Sequence, residues 1–573
     1  MSARGLSRRL VLGGVGGVGA SLALPSMAWA RDFDKPYQGY APPSTTLRTA
    51  TPEDMGLIRA RIDQARARLA AYEEGTGLAH PLFPGHVAVM GHDGAIVATD
   101  VGGYRLLYAN ATTKLPEAQR LPMREDTVFD LASVSKLFTS LAVVQLVEQG
   151  LVSLQQPVAT YVPEFASNRK QAITVEQLLS HTSGLVAWLP LWSAYPDKAS
   201  RIQAVLTTTP DAAPGTRYLY SDLNLITLGV MVERLTGQSL DVVVRERITG
   251  PLGMRDTGYN PTDKQRTAAT EYQVTPARGM VWGEVHDENA WSLGGVAGHA
   301  GVFSTARDLS VLAQTLLNGG AYGGARILSK KSVTLLITNV NEEFPGDDHG
   351  LGFELNQRWY AEGLSNPREA GHTGYTGTSL VIDFASRSFA ILLTNRVHPS
   401  RSWGSINPAR RAWAQGLALA MPVRPAKGPD AWFTGDQDAR TATLDLPVEV
   451  ARSADLRFAA FVDTEETDPL RLEVSRDGGA TWGPLPFEVH DRNRRIDAAD
   501  GTWADSGTRR WVQVTARLGG GSQVIRWRHT TDALYLGRGV YVDDVQVRGG
   551  GTTVDTEKDP SRFTASGWVR SAT

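Results

Sequence analysis

Phe129-Asp130-Leu131-Ala132-Ser133-Val134-Ser135-Lys136 is the stretch on which the fold and chemistry of this chain turn. A serine hydroxyl is a weak nucleophile at neutral pH and needs a proton acceptor within hydrogen-bond reach. Leu137, Leu141, Val144 and Val147 recur at helical spacing over 136–149, and Gly150 is a natural stop. A helix therefore starts at the serine, and Ser133 and Lys136 share one of its faces, a turn apart. A lysine among apolar neighbours loses proton affinity because its charged form is desolvated, so Lys136 is predicted to accept the serine proton. The helix amino end adds N–H groups and positive potential where an oxyanion would form. The plain alternative is a helix cap followed by a surface lysine. A second Ser-x-x-Lys, Ser167-Asn168-Arg169-Lys170, lies in a polar stretch with no apolar helix after it and reads as a solvated loop.

Two later stretches add chemistry. Pro214-Gly215-Thr216-Arg217-Tyr218-Leu219-Tyr220-Ser221-Asp222 is a turn leading through aromatics into a helix start. A tyrosine beside the Ser–Lys pair can shuttle a proton to a leaving group; alone, the stretch reads equally as a core aromatic before a capped helix. Gly371-His372-Thr373-Gly374-Tyr375-Thr376-Gly377 precedes a strand signal at 378–383, and glycines at a strand edge permit close approach by a ligand backbone.

In this order, Ser133-x-x-Lys136, Tyr220-Ser221-Asp222 and His372-Thr373-Gly374 resemble the three signatures of the serine β-lactamase superfamily, in the branch of class C β-lactamases, penicillin-binding proteins and family VIII esterases. Leu178-Leu179-Ser180-His181-Thr182-Ser183-Gly184-Leu185 and the run from Gly294 to Ser304 fit the same branch, over roughly 50–420. The resemblance implies an acyl-enzyme on Ser133, with proton transfer shared by Lys136 and Tyr220. It implies an oxyanion site between the Ser133 and Tyr375 N–H groups. Asp222 would orient Lys136 or substrate, and His372, Thr373, Gly374 and His299 would contact substrate. His372 stands where true β-lactamases carry lysine, so a fixed cation for a substrate carboxylate is missing there. Histidine at this place is frequent in family esterases, D-aminopeptidases and amidases. The run Gly283 to Ala290 resembles a subgroup that includes exolytic N-acetylmuramoyl-L-alanine amidases, although its polar residues read as readily as helix caps and loop ties.

Elsewhere in the first part of the chain, 54–72 has helical spacing, 86–100 holds two alternating runs around a hairpin signal, and 378–383 with 388–394 forms a second strand pair. Strands at both ends with helices between them predict an α+β fold. Its antiparallel sheet is flanked by helices, carries a helical subdomain, and is of the β-lactamase/DD-peptidase kind that the resemblance implies. Pro422, Pro425, Gly428 and Pro429 come after an amphipathic run at 409–421 and read as a linker. Beyond it nearly every signal is a strand: 441–448, 456–463, 470–475, 511–516, 523–529 and 540–547, the pattern of a β-sandwich, jelly-roll-like by its last strand. The expected division is a leader at 1–30, a hydrolase domain at 31–427 and a sandwich at 428–573. Within the sandwich, 475–482 resembles a single Asp-box hairpin. A structural Ca²⁺ near Asp543 or Asp544 is weighed against plain packing, and packing is favoured.

The rest of the composition narrows the function. The chain has 573 residues, too many for one core, a net charge of -2, and no cysteine. The charge gives no reason to expect nucleic acid, and thiol chemistry and disulfides are excluded by inventory. No H-E-x-x-H occurs among the 11 histidines, and no cofactor is expected. Arg4, Arg8 and Arg9 precede an apolar run at 10–24 and Ala28-Trp29-Ala30, resembling a twin-arginine leader; export to periplasm or medium without a membrane anchor is expected. Three functions stand open. One is an amidase on cell-wall fragments, either muramoyl-peptides or D-amino-acid peptides. Another is a carboxylesterase on small acyl esters. The third is a non-catalytic protein that holds polysaccharide through its sandwich.

Overall fold

The structure is a computed structural model that describes residues 35–573 apart from 493 and 550. The leader expected at 1–30 lies outside the described residues.

Ser388–Thr394, with the sequence SFAILLT, is buried at every position. Alternation sends Phe389, Ile391 and Leu393 to one face and Ala390 and Leu392 to the other, into two separate apolar cores. Such a strand belongs at the centre of a sheet covered on both sides, and it lies there. Its antiparallel neighbours are Gly85–His92 and Thr378–Asp383. Outward from these come Ala95–Leu106 on one side and Glu369–Gly374 on the other. The short edge strand Arg48–Thr49 runs parallel to its neighbour. The glycine-rich stretch expected to precede a strand is thus partly a strand itself.

One sheet face is covered by the helices Arg59–Glu74 and Asn407–Ala420. They approach so closely that a Cβ on Gly416 would stand 2.4 Å from the Ala65 methyl. The first helix starts later than its apolar spacing suggests because Gly56, at φ 74°, closes a separate short turn over Glu53–Met55. The other face carries the helical subdomain. There Ser135–Glu148 is buried over its first twelve residues against Asp222–Thr236 and its neighbours. The polar Ser167–Lys170 loop departs from expectation: Lys170 is fully buried, with Nζ donating to Ser167 O at 3.1 Å and Thr208 O at 2.5 Å. It ties two loops together and makes no hydrogen bond to a serine hydroxyl.

Between Ala420 and Ala431 the described chain has neither helix nor strand. The remainder forms two antiparallel sheets enclosing a single core. One is built around Ala454–Asp463, Val512–Leu518 and Gly539–Gly549, the other around Thr441–Val450, Leu470–Ser475 and Gly521–Thr530. Thr441–Val450 shows strict alternation, with Ala442, Leu444, Leu446, Val448 and Val450 inward. The Asp-box hairpin holds itself: Asp477 accepts from Thr481 N at 2.9 Å and from Ser475 Oγ at 2.8 Å, and the Arg526 guanidinium lies 3.7 Å from the Trp482 ring centroid. Asp543 accepts the Lys427 N–H at 2.8 Å, and Asp544 pairs with Lys427 Nζ at 2.6 Å, so both carboxylates meet the linker.

Arg509 joins the two parts. Only 2% exposed, it reaches Asp463 of its own sandwich at 3.1 Å and Asp383 of the first sheet at 2.8 Å, and it donates to Gly363 O and Ser365 O. Removing one member of a buried charge group leaves the others uncompensated. Arg509→Leu is therefore expected to cost about 3–5 kcal/mol, read as an earlier first transition in urea unfolding of the whole chain. An unchanged unfolding profile would show that the junction does not depend on this side chain.

Candidate active site

Ser133 lies in a single 3-10 turn, Ala132–Val134, that runs directly into the helix Ser135–Glu148. The turn is fixed from outside. Asp130, buried, accepts the Ala132 N–H at 2.9 Å and the His286 N–H at 2.6 Å. The third-motif hairpin is pinned to the same backbone: Thr376 Oγ1 donates to Asp130 O at 2.7 Å and Thr378 Oγ1 to Leu131 O at 3.0 Å. Gly374 is required by this approach, since a Cβ there would stand 2.1 Å from Thr378 Oγ1 and 2.2 Å from Leu131 O.

Lys136 is the centre of the site. One turn along the helix from Ser133 and 1% exposed, its ammonium donates to Ser133 Oγ at 2.9 Å and to His299 O at 3.2 Å, and it pairs with Asp222 Oδ1 at 2.8 Å. The Tyr220 ring centroid is 4.8 Å from the same nitrogen. The predicted convergence of Ser133, Lys136 and Tyr220 is therefore present. The charge state expected of Lys136 is not. Burial pushes its pKa down, but Asp222 and then Tyr220 push it up further, and the net shift is upward. Lys136 is a charged ammonium in the resting protein because its desolvation is more than offset by a carboxylate in direct contact. Burial also raises the Tyr220 phenol, against the opposing pull of Lys136, so that group is neutral.

A cavity of about 480 Å³ opens on Ser133 and Tyr220 and is lined also by His372, Thr373, Gly374 and Tyr375. The His372 Nδ1 faces Thr373 O at 2.7 Å, and burial followed by the nearby Lys136 charge pushes its pKa down to about 3. It is a neutral imidazole and supplies no cation. His299, expected to contact substrate, and Asp222, expected to orient Lys136 or substrate, do not line this cavity. Asp222 holds Lys136. His299 is buried, gives its carbonyl to Lys136 and sets its Nε2 2.9 Å from Asp287 Oδ1. The Tyr375 N–H, named as an oxyanion donor, has no acceptor within the described protein.

Sequence reasoning passed over several residues. Asp287, read within a capping run, does cap Glu288–Ser292 by accepting the Ala290 N–H, and it is also the partner of His299. Arg396 and Arg410 line the cavity and bring guanidinium groups where the third motif brings none. Arg410 was hidden inside the amphipathic pattern of the last helix, where an arginine reads as solvent-facing. Among the described residues, Asp222, Asp287 and His299 could also hold a metal ion, as could Glu465, Asp468 and Asp532 in the sandwich. In the first group Lys136 already engages Asp222, and His299 engages Asp287.

A family model described as Beta-lactamase matches residues 70–415. A protein of Escherichia coli (strain K12), provisionally named a D-alanyl-D-alanine carboxypeptidase, is 34% identical over 309 residues, spanning 48% of this chain and 70% of its own. A protein of the same name from Escherichia coli O157:H7 is 32% identical over 389 residues, spanning 61% and 86%. The solved structure of a class C β-lactamase superposes with a TM-score of 0.50 at 19% identity, over 63% of this chain and 96% of that one, a likeness of fold.

Gly374→Ala is expected to push the third-motif strand off the serine turn and slow covalent labelling of Ser133 by a fluorophosphonate about a hundredfold, the scale of a misplacement near 1 Å. Labelling at the normal rate would mean the contact is not needed.

Proposed function

The chain belongs to the β-lactamase family, and from that premise we propose that it is an exported serine hydrolase working through an acyl-enzyme on Ser133. Its proposed substrates are cell-wall-derived amides, muramoyl-peptides or D-amino-acid peptides. The observation that carries this reading is the contact of Ser133 Oγ with a buried ammonium that is itself paired with a carboxylate. The names of the Escherichia coli relatives support the amide substrate. Export rests on the leader-like first thirty residues. No helix among the described residues is long and apolar enough to cross a membrane.

The charge state of Lys136 shapes the mechanism. A charged Lys136 can take the serine proton only by passing one on, and Asp222 is in place to receive it. As Ser133 Oγ bonds to the carbonyl carbon, its proton moves to Lys136 Nζ while a Lys136 proton moves to Asp222 Oδ1. The carbonyl electron pair shifts to oxygen, opposite the Ser133 and Tyr375 N–H groups. Collapse breaks the carbon–nitrogen bond, the departing amine takes its proton through Tyr220, and water then cleaves the ester. A second reading, carboxylesterase action, is favoured by the neutral His372, because a small ester needs no carboxylate anchor at that position.

Ser133→Ala is expected to abolish fluorophosphonate labelling and turnover of muramoyl-dipeptide while costing about 1–3 kcal/mol in folding, since one Lys136 proton loses its acceptor. Ser167→Ala should leave labelling unchanged. Full activity in the first variant would refute the assignment, and p-nitrophenyl esters turned over in place of the amide would select the second reading. Asp222→Asn, which keeps shape but removes the proton acceptor, should slow acylation by about 10²–10⁴ in rapid-quench measurements. A near-normal rate would rule out the relay through Asp222.

A further inference from the structure

The cavity beside Ser133 has two walls of opposite chemistry. One wall holds the carboxylates of Asp347, Asp348 and Glu354 with the imidazoles of His349 and His372. The two imidazoles face backbone carbonyls through Nδ1, His349 toward Gly350 O and His372 toward Thr373 O, each at 2.7 Å. A carbonyl can only accept, so the N–H of each ring is on Nδ1 and Nε2 carries a lone pair. Both Nε2 atoms and Glu354 Oε2 are buried without a hydrogen-bond partner, with the Tyr360 hydroxyl close enough to act on the Glu354 carboxyl. Asp348 accepts from Asn339 and Asn356, and Asp347 makes no side-chain hydrogen bond. The two ring nitrogens on this wall can only accept.

Arg396 and Arg410 form the other wall. Arg410, buried on the last helix, donates to Asn407 Oδ1, Gly374 O and Thr378 O. Arg396 donates to the carbonyls of Tyr375, Arg401 and Gly404. Among the described residues neither guanidinium comes within 4.0 Å of a carboxylate. Buried charges are ordinarily paired, because leaving them apart is costly. Here the buried Arg410 and the partly buried Arg396 share one cavity with the partly buried Asp348 and Glu354 and pair with neither, next to the nucleophile.

We infer that this cavity is the subsite for a zwitterionic, amino-acid-like end of the substrate, its ammonium donating to the Glu354 wall and its carboxylate received by Arg396 and Arg410. The inference rests on the serine-hydrolase reading of the same site and narrows its substrate class. A ligand bearing both charges satisfies the orphaned acceptors and the unpaired cations together. A ligand bearing one of them leaves the opposite wall desolvated and unmatched.

The test is isothermal titration of the full chain carrying Ser133→Ala with three probes: D-methionine, N-acetyl-D-methionine, which lacks the ammonium, and D-methioninamide, which lacks the carboxylate. D-methionine is expected to bind at least about tenfold tighter than either blocked form. Glu354→Gln in the same background should weaken D-methionine and D-methioninamide alike and leave N-acetyl-D-methionine unchanged. Arg396→Gln should show the reverse selectivity. Equal binding of the three probes, no binding of any, or variants that weaken all three alike would overturn the inference. Fluorophosphonate labelling of the otherwise unaltered chain separates the two failures. Labelling at Ser133 without the zwitterion preference removes the subsite alone, and absence of labelling removes the hydrolase reading beneath it. Far-ultraviolet circular dichroism and urea unfolding of the Glu354→Gln and Arg396→Gln chains, matched to the parent chain, verify that each is folded.

Discussion

A single ammonium in a dry place organises this protein. Lys136 cannot stay charged at 1% exposure unless its three protons are received, and the fold supplies one receiver from each of three directions. Ser133 comes from the preceding turn, Asp222 from the start of a second helix, and the His299 carbonyl from a loop far along the chain. These three demands fix the relative placement of the serine turn, the helical subdomain and the loop after Gly298. The hairpin at 369–383 then closes on the serine turn through Thr376 and Thr378. The Ser133 hydroxyl is thus oriented by the same contacts that neutralise the charge.

Much of this was legible in the sequence because it is local. The helix at Ser133 emerges from an unbroken apolar period, and the strands at 378–383 and 388–394 have the predicted bounds because they are apolar on both faces. What local pattern could not supply is charge state. A lysine in apolar sequence looks depressed in pKa, and the carboxylate that reverses the shift arrives through tertiary contact alone. Lys170 shows the opposite error: polar neighbours suggested solvent, yet two carbonyls hold its ammonium inside. In the sandwich, the hairpin Phe487–Asp491 and Arg494–Ala498 escaped notice because charged side chains on its outer face mask the alternation.

The same distinction separates the motif residues from those around them. The three signature stretches lie where chain order and spacing lead one to look. Arg396, Arg410, Glu354 and His349 belong to no motif and meet only across the cavity, on a loop, a helix and a strand end. Their relation to one another is a property of the fold. His372 illustrates the limit from within a motif: its residue type was readable, but its neutrality comes from burial beside Lys136.

The buried bridge made by Arg509 has a bearing on descent. A strand that begins at Thr378, against the serine turn, ends at Asp383, and Asp383 is held by a cation from the other half of the chain. Modules exchanged freely between genes meet through surfaces that tolerate water once parted. This one would part the fully buried Asp383 from its cation, while Arg509 would keep only Asp463 of its own half. The acid at the far end of the strand that begins against the serine turn is thus the group that feels any parting of the two halves.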